Sequence, residues 1–357
     1  MDIRVTRADE SALKQIPDVS TVEFGKQTTD HMVQMNYSAD HGWQGPRVVP
    51  YEMLSLDPSA LVLHYNQQVF EGLKAFRQPD GSVSLFRPDQ YANRFQRSSR
   101  RMAMPELDVD TFLASVNALV DIDDRWVPSE PGTSLYLRPT MIATEPGLGV
   151  RTSRSYLFYI IACPVGAYYK EGAKPTRIAV EENSARAAAG GAGEAKTSGN
   201  YAPTLLATQQ ATRDGFSQVL WLDAKDHRFI EEVGTSNIFF RFGDELVTPP
   251  LGGTILPGVT RNSVLQLAEA WGIQMTERRV SINEVVDGCE SGLVKEAFAT
   301  GTAAVISPIG ELSYKGQDVR VDDGGAGHLA QRFFEEITAV QYGKKEDELG
   351  WMVKVEG

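Results

Sequence analysis

A glycine-rich stretch at 190–201 constrains the fold most, because four glycines in it surround a single lysine, Lys196. Glycine lets the backbone approach a neighbouring group closely. Pro203 follows, and since proline is tolerated only in the first turn of a helix, a helix is expected to begin near residue 202 rather than at Lys196. A lysine in such packed surroundings loses its proton more easily and can then attack carbonyl groups. The stretch therefore predicts a structured loop that carries covalent chemistry.

Length and composition restrict the class of protein. A chain of 357 residues is long for one hydrophobic core, so two domains are expected. The 42% of apolar and 23% of charged residues are typical of a soluble globular protein. Lys and Arg number 35 against 47 Asp and Glu, and the resulting net charge of −12, without a basic stripe, disfavours nucleic acid or an anionic membrane as a partner.

Targeting and metal signals are also missing from the sequence. The N-terminal residues lack an apolar run of signal-peptide length, and the most apolar run, 156–165, is too short to span a bilayer, so a cytoplasmic protein is expected. Cys163 and Cys289 lie far apart and in no metal-type spacing, and the five histidines show no ligand spacing either. The sequence therefore predicts neither a disulfide framework nor a metal site.

The chain divides after a buried strand predicted at 155–165, where a turn-rich segment follows. This pattern predicts a smaller α+β domain over 1–165, a connector over 166–175 and a larger, strand-rich domain over 176–357. In the first domain the patterns predict strands at 64–77 and 82–87 around a turn at 79–81, and helices at 88–102 and 110–120. In the second they predict helices at 202–213 and 261–271, and strands at 217–223, 229–233 and 237–242.

Two further patterns extend the chemistry indicated by Lys196. Glu232 places a carboxylate in an apolar, strand-forming run, and Val259 and Thr260 begin an amphipathic helix whose first N–H groups and dipole suit an anion. An amine, a carboxylate and an anion cup are what pyridoxal phosphate needs for its aldehyde, its ring nitrogen and its phosphate. The sequence therefore predicts this cofactor. Arginine also suits phosphate oxygens, but the segment 93–101 contains four and their spacing does not choose among them.

Motifs in a fixed order along nearly the whole chain also indicate a pyridoxal phosphate enzyme. They are Phe24-Gly-Lys, Thr29-Asp-His-Met, Leu63-His-Tyr, Phe70-Glu-Gly-Leu-Lys-Ala, Leu135-Tyr-Leu-Arg-Pro, Glu145-Pro-Gly-Leu-Gly-Val, Gly199-Asn-Tyr-Ala, Glu232-Val-Gly-Thr, Leu256-Pro-Gly and Gly301-Thr-Ala. With these motifs the chain resembles the branched-chain amino acid aminotransferases, pyridoxal phosphate enzymes of fold type IV. The resemblance implies the two-domain α+β fold of the D-amino acid aminotransferase type.

The resemblance implies a role for each matching residue. Lys196 would hold the cofactor covalently and move the proton between the substrate's Cα and the cofactor. The other cofactor contacts would come from Tyr201 at the ring hydroxyl, Glu232 at the ring nitrogen, Arg94, Val259 and Thr260 at the phosphate, and Thr302. Substrate contacts would come from Phe24, Tyr136, Arg138, Tyr168, Thr235, Thr302 and Ala303, with Tyr65, Leu148 and Val150 supplied by a partner subunit. A homodimer is therefore expected.

The implied reaction is amino transfer between leucine, isoleucine or valine and 2-oxoglutarate. D-amino acid aminotransferase and aminodeoxychorismate lyase are alternatives on the same fold. A nucleotide-binding P-loop at 190–197 is an alternative of another class, although Ala195 stands where that motif needs glycine. A non-catalytic binding protein is a further alternative.

Two departures from the family pattern bear on these expectations. Some relatives carry a Cys-x-x-Cys pair where this chain has Ala304-Val-Ile-Ser, so no thiol switch is expected there. Thr197 and Ser198 precede a single Gly199 where the family usually has two glycines. Without the resemblance, charged residues such as Lys196 would be read as ordinary solvated side chains.

Overall fold

The computed structural model describes residues 3–166 and 174–356. These residues form two compact units, each built around its own sheet. The first unit holds 3–166, 195–198 and 339–356, and the second holds 174–194 and 199–338. The combination of helices and largely antiparallel sheets confirms the predicted α+β class.

The elements are numbered in chain order. The strands are β1 Arg4–Val5, β2 His31–Ser38, β3 Gly42–Trp43, β4 Arg47–Pro50, β5 Gln68–Phe70, β6 Leu73–Arg77, β7 Val83–Phe86, β8 Ser134–Ala143, β9 Ser155–Val165, β10 Thr176–Val180, β11 Gln218–Leu222, β12 Ile230–Val233, β13 Asn237–Phe242, β14 Glu245–Thr248, β15 Met275–Glu277, β16 Val294–Gly301, β17 Val305–Tyr314, β18 Gln317–Arg320 and β19 Met352–Lys354. The α-helices are α1 Leu61–Tyr65, α2 Pro88–Arg101, α3 Val109–Ile122, α4 Leu205–Arg213, α5 Val259–Ala270, α6 Ile282–Glu290 and α7 His328–Gln341.

A ten-stranded sheet forms the first unit, in the order β1-β4-β2-β9-β8-β6-β7-β19, with β3 paired to β2 and β5 paired to β8. Its longest pairing joins β8 and β9 antiparallel, from Ser134 opposite Val165 to Ala143 opposite Tyr156. Helices α2 and α3 pack on each other and on this sheet. Three buried phenylalanines, Phe95, Phe112 and Phe158, meet there with ring centroids 5.5 to 6.1 Å apart. Aromatic rings of this size contribute a large share of core burial.

A nine-stranded sheet forms the second unit, in the order β12-β11-β10-β17-β16-β13-β14-β15, with β18 paired to β17. Strand β10 runs parallel to both of its neighbours, β11 and β17. Phe239 and Phe298 stack with centroids 5.3 Å apart, and Phe333 of α7 lies 5.9 Å from Phe298. The consecutive residues Ile238, Phe239 and Phe240 are all buried, so the central strand β13 is covered on both faces.

Most predicted elements are confirmed within one or two residues. The strand predicted at 155–165 is β9, and the helix predicted at 261–271 is α5. The other confirmed elements are the strand at 82–87, the helices at 88–102 and 110–120, and the strands at 217–223, 229–233 and 237–242. The helix predicted at 202–213 is present, but its first turn, Ala202–Thr204, is a 3-10 helix and α4 begins three residues later than predicted. The turn at 79–81 is also present, with the Gly81 N–H donating to the Gln78 carbonyl. Local patterns therefore determine most of the elements.

The prediction of one strand over 64–77 is wrong at its start. His64 and Tyr65 belong to α1, which ends where Asn66 takes a left-handed conformation with φ 51°. Asparagine tolerates this conformation better than most residues, so it can end a helix. The rest of the segment divides into β5 and β6, with Glu71 and Gly72 between them.

Two segments pack outside the domain in which the sequence placed them. Residues 195–198 and 339–356 fall within the predicted domain 176–357 but belong to the first unit. The Phe70 N–H donates to the Lys196 carbonyl at 3.0 Å, and β19 extends the first sheet beside β7. Such pairings join residues distant in sequence. The remaining domain bounds stay a prediction, and most of the predicted connector lies outside the described residues.

The described chain shows no α-helix that starts at Lys196. Two short 3-10 helices, Ser198–Asn200 and Ala202–Thr204, follow it, and α4 begins only at Leu205. A P-loop lysine stands at the start of a helix that binds phosphate, so the nucleotide-binding alternative does not fit. Among the described residues, every helix is too short or too polar to cross a membrane.

Candidate active site

The backbone around Lys196 is held in place within the first unit. The Lys196 N–H donates to Ser98 Oγ at 3.0 Å, and its carbonyl accepts from the Phe70 N–H at 3.0 Å. Next to it, Thr197 Oγ1 donates to the Gln68 carbonyl at 2.7 Å. The lysine backbone is therefore fixed against both β5 and α2. A catalytic amine requires such fixed geometry, because small misplacements cost large factors in rate.

The Lys196 amine lies against an aromatic ring that a second cation also contacts. Its Nζ is 4.9 Å from the Phe70 ring centroid, and the Arg138 guanidinium is 4.9 Å from the same centroid. Arg138 Nη2 also donates to Tyr136 Oη at 3.0 Å, and the Tyr136 ring meets Phe24 edge-on at 4.9 Å. The structure thus brings together four residues that the sequence assigned to substrate or cofactor. Two cations on one ring favour an anionic ligand.

Gly72 leaves the space that Tyr136 occupies. A Cβ at position 72 would lie 1.9 Å from Tyr136 Oη and 2.7 Å from its Cζ, far inside contact distance. Gly72 belongs to one of the motifs on which the resemblance rests, but the sequence analysis gave this residue no role of its own. The structure shows that a glycine here is required for the position of Tyr136.

Replacing Gly72 by alanine should displace the Tyr136 ring. Because the ring is buried, the overpacking should lower the free energy of unfolding by about 1–3 kcal/mol. Denaturant unfolding measures this loss. Gly45→Ala is the matched control, since a Cβ there meets nothing within 4 Å. Equal losses in the two variants would contradict the steric account.

Lys74 lies opposite Tyr136, its register partner across β6 and β8. Burial of the ammonium lowers the pKa of Lys74 to about 8. The sequence gave Lys74 no role beyond the motif that contains it. The only available signal was its place between the apolar Leu73 and Ala75 on a predicted strand.

The lowered pKa predicts a stability that depends on pH. The ordinary pKa of 10.5 applies to Lys74 in the unfolded chain, so between about pH 8 and 10.5 the unfolded state binds more protons than the folded state. The free energy of unfolding should therefore rise with pH across this window, by at most about 3 kcal/mol. Urea titrations should show this rise in the unaltered chain and a smaller one in Lys74→Met. An equal rise in both would exclude Lys74 as its source.

Arg94 differs from the three other arginines of the segment 93–101. Its residue is 3% exposed, whereas Arg97, Arg100 and Arg101 are more exposed. Its Nε and Nη2 each lie 2.7 Å from one carboxylate oxygen of Glu71. The structure therefore singles out Arg94, which spacing alone did not. Glu71 was missed as a functional candidate.

Glu232, in the second unit, is a buried carboxylate surrounded by donors. Its residue is 2% exposed, and Oε1 accepts from the Leu256 N–H at 2.9 Å and from Asn237 Nδ2 at 3.2 Å. Arg186 Nε lies 2.8 Å from Oε2 as an ion pair, without the alignment of a hydrogen bond. These partners favour the ionised carboxylate. Sequence reasoning missed both Arg186 and Asn237, although Asn237 lies only five positions after Glu232.

The predicted anion cup lies at the start of α5 in the same unit. Gly258 precedes the helix in an extended conformation, and Val259 and Thr260 form its first positions. The first N–H groups of a helix have no acceptor within the helix, so these two can serve a phosphate. A Cβ on Gly258 would meet Asn237 Oδ1 at 2.0 Å. Asn237 therefore contacts both Glu232 and the start of the cup.

The remaining predicted residues are placed as follows. Tyr201 lies between two 3-10 helices, and its carbonyl accepts a hydrogen bond from the Thr204 N–H. Thr235 is exposed at the β12–β13 turn, and Thr302 and Ala303 lie in the β16–β17 turn. Leu148 and Val150 are exposed in the single chain, and Tyr65 donates its hydroxyl to the Leu148 carbonyl. Tyr168 lies outside the described residues. The structure therefore leaves Thr235, Leu148 and Val150 at the surface of their units.

Each unit holds groups of the kinds that pyridoxal phosphate needs. The first unit holds an amine on a fixed backbone, Lys196, and a buried guanidinium, Arg94, while the second unit holds a buried carboxylate, Glu232, and the N-terminus of α5. These are the groups that the aldehyde, the phosphate and the ring nitrogen require. Within the described residues, no group of histidine, cysteine or acidic side chains could hold a metal ion.

Known proteins resemble this chain over most of its length. The family model of amino-transferase class IV matches residues 68–312. Branched-chain-amino-acid aminotransferase 2 of Bacillus subtilis (strain 168) is 50% identical over 345 residues, which cover 97% of this chain and 95% of that protein.

Solved structures agree with the sequence relatives. The branched-chain amino acid aminotransferase from Escherichia coli has a TM-score of 0.74 at 25% identity, covering 92% of this chain and 99% of that one. The Thermobaculum terrenum enzyme of the same name, in its PLP form, has a TM-score of 0.77 at 22% identity, covering 93% and 100%, and supports the fold. The family model and the relatives together show that this chain belongs to the branched-chain amino acid aminotransferases of the class IV aminotransferase family.

Proposed function

We propose that this chain catalyses reversible amino transfer between leucine, isoleucine or valine and 2-oxoglutarate with pyridoxal phosphate as cofactor. The observation that carries the proposal is the Lys196 amine, on a fixed backbone, against the Phe70 ring that Arg138 also contacts. It supports the proposal because an amine suits proton transfer and a guanidinium suits a substrate carboxylate. Family membership supports the same reaction.

Lys196 moves the proton of the substrate's Cα in this proposal. When bound, pyridoxal phosphate supplies an aldehyde carbon that carries the amino group and a ring that takes up the electrons released at the substrate's Cα. Lys196 Nζ would take the proton from the substrate's Cα as a general base and, in the same half-reaction, give it as a general acid to the cofactor carbon that keeps the amino group, and it would move a proton the opposite way in the second half-reaction. Its fixed backbone keeps the base of the side chain in place, and the flexible stem lets Nζ reach both carbons.

The other chain residues hold the cofactor in the proposal. Glu232 keeps the ring nitrogen protonated, because its donors and Arg186 keep it ionised. Arg94, Val259 and Thr260 bind the phosphate, and Tyr201 binds the ring hydroxyl. The Thr302–Ala303 turn offers its amides to the α-carboxylate that amino acid and oxo acid share.

Two substrates of different polarity must use one side-chain pocket. Phe24 and Tyr136 present apolar ring surface, which suits the branched side chains of leucine, isoleucine and valine. Arg138 donates to Tyr136 Oη at the same place and can pair with the second carboxylate of glutamate. This arrangement accounts for both halves of the reaction.

We further propose a homodimer in the cytoplasm. Leu148 and Val150 are 70% and 82% exposed in the single chain, and apolar side chains so exposed next to one another indicate a contact surface. In the dimer they reach the partner's substrate pocket together with Tyr65, while Thr235 contacts the substrate of its own subunit. Sedimentation of the purified chain at the mass of one subunit would exclude this assembly.

A substrate panel tests the proposed reaction. Leucine, isoleucine, valine, D-alanine and aminodeoxychorismate are assayed side by side, the amino acids with 2-oxoglutarate as acceptor. The branched L-amino acids should give the highest kcat/KM. Preference for D-alanine or aminodeoxychorismate would assign the chain to one of the two alternatives on this fold. A colourless protein without activity on any of them would favour the non-catalytic alternative.

A further inference from the structure

Glu71 holds the Arg94 guanidinium by a two-point contact. Its Oε1 accepts from Arg94 Nε and its Oε2 from Arg94 Nη2, both at 2.7 Å. The side chains are 0% and 4% exposed. A bidentate contact fixes the plane of the guanidinium as well as its position. It engages two of the five N–H donors that the group carries.

Glu71 is itself fixed by its backbone. Its N–H donates to the Pro139 carbonyl at 2.8 Å, and its Oε2 also accepts from the Gly72 N–H at 3.2 Å. The Tyr91 ring, 5.3 Å from the Arg94 guanidinium carbon, packs on that group. The carboxylate is therefore anchored to β8, and the guanidinium is held between it and a ring of its own helix.

A second guanidinium of the same helix lies near the pair. Arg97 lies one helical turn after Arg94, and its pKa is lowered by burial and by the charge of Arg94, an effect that the charge of Glu71 partly offsets. Positive charge beside a buried pair favours an anionic ligand.

We propose that Glu71 is a positioning residue, which orients the Arg94 guanidinium for the cofactor phosphate. The inference rests on the proposed function, in which Arg94 binds that phosphate. An arginine side chain held in one orientation loses less freedom when its ligand binds, so the fixed pair should increase affinity. The effect should be confined to ligands that carry the phosphate.

A simple counter-charge role gives the opposite result. If Glu71 only neutralised Arg94, removal of its charge should strengthen phosphate binding, and Glu71→Asp should change little. If Glu71 orients Arg94, both Glu71→Gln and Glu71→Asp should weaken phosphate binding. The sign of the change therefore separates the two roles.

The test compares pyridoxal 5'-phosphate with pyridoxal, which lacks the phosphate. Both are titrated into the full-length chain freed of cofactor, by absorbance. Glu71→Gln should raise the Kd of pyridoxal 5'-phosphate by about tenfold or more and the Kd of pyridoxal by less than about twofold. Inorganic phosphate, as a competitor of pyridoxal 5'-phosphate, should also lose affinity. Glu106→Gln, which removes the charge from the exposed carboxylate that pairs with Arg100 of the same helix as Arg94, is the matched control and should change neither.

A double-mutant cycle completes the experiment. In an Arg94→Met background, Glu71→Gln should have no further effect on pyridoxal 5'-phosphate, because its partner is already gone. Glu71→Asp keeps the charge that balances Arg94, so it keeps the test available if Glu71→Gln alone does not fold. An unchanged or stronger affinity in Glu71→Asp, or equal losses for both ligands in Glu71→Gln, would overturn the inference. If the unaltered chain bound no pyridoxal 5'-phosphate, the proposed function would fail instead.

Discussion

Lys196→Ala should abolish amino transfer almost completely. The substitution removes the amine that carries the cofactor and moves the Cα proton, so kcat should fall by at least about 10⁴-fold. The fold should survive, because the contacts of Lys196 with Ser98 and Phe70 run through its backbone and remain available to alanine. The amine's contact with the Phe70 ring is lost, worth about 0.5–1 kcal/mol.

Borohydride reduction followed by peptide mapping checks this expectation. In the unaltered chain, the cofactor should be fixed to the peptide that contains Lys196, and in Lys196→Ala no labelled peptide should remain. Lys225→Ala, at an exposed lysine of the β11–β12 turn, is the matched control and should keep both label and activity. A label on another lysine of the unaltered chain would refute the assignment.

Glu232→Gln should reduce both activity and stability. The amide can no longer hold a proton on the ring nitrogen electrostatically, so kcat should fall by about 10²–10³-fold. The change also leaves Arg186 buried without its anionic partner, since the two side chains are only 3% and 7% exposed. Breaking such a pair from one side costs about 3–5 kcal/mol.

Its neighbour on the strand provides the control. Glu231 is also buried, and burial raises the pKa of its carboxyl, so Glu231→Gln removes a charge that is costly to bury. This variant should keep kcat and lose little stability. Thermal unfolding and steady-state kinetics of both variants measure the contrast. Similar behaviour of the two variants would remove the basis for giving Glu232 the special role.

The elements of the fold were largely predictable because they follow from short-range patterns. Val264, Leu267 and Ala268 recur at helical spacing, and all three are buried on α5. Gly215 and Gly272 take positive φ values just after α4 and α5, as expected for residues that end helices. Alternation, capping and turn residues act over a few positions, so a single sequence reveals them.

The pairs that build the candidate site were not predictable in this way. Glu71 and Arg94 lie 23 positions apart, and no local pattern joins them. Arg186 and Glu232 are further apart and meet only because separate parts of the second unit fold together. The burial of Glu231 was not predictable either. Two adjacent acids on a strand would be expected to face solvent, yet Glu231 is buried. Burial is a property of the packed unit rather than of the local sequence.

The link between β5 and β6 has a consequence for enzyme engineering. Glu71 and Gly72 are adjacent, yet one contacts Arg94 and the other makes room for Tyr136. An inserted or deleted residue in this link would put both contacts out of register at once. Libraries meant to alter substrate preference should therefore keep the length of this link constant and vary the surrounding strands instead.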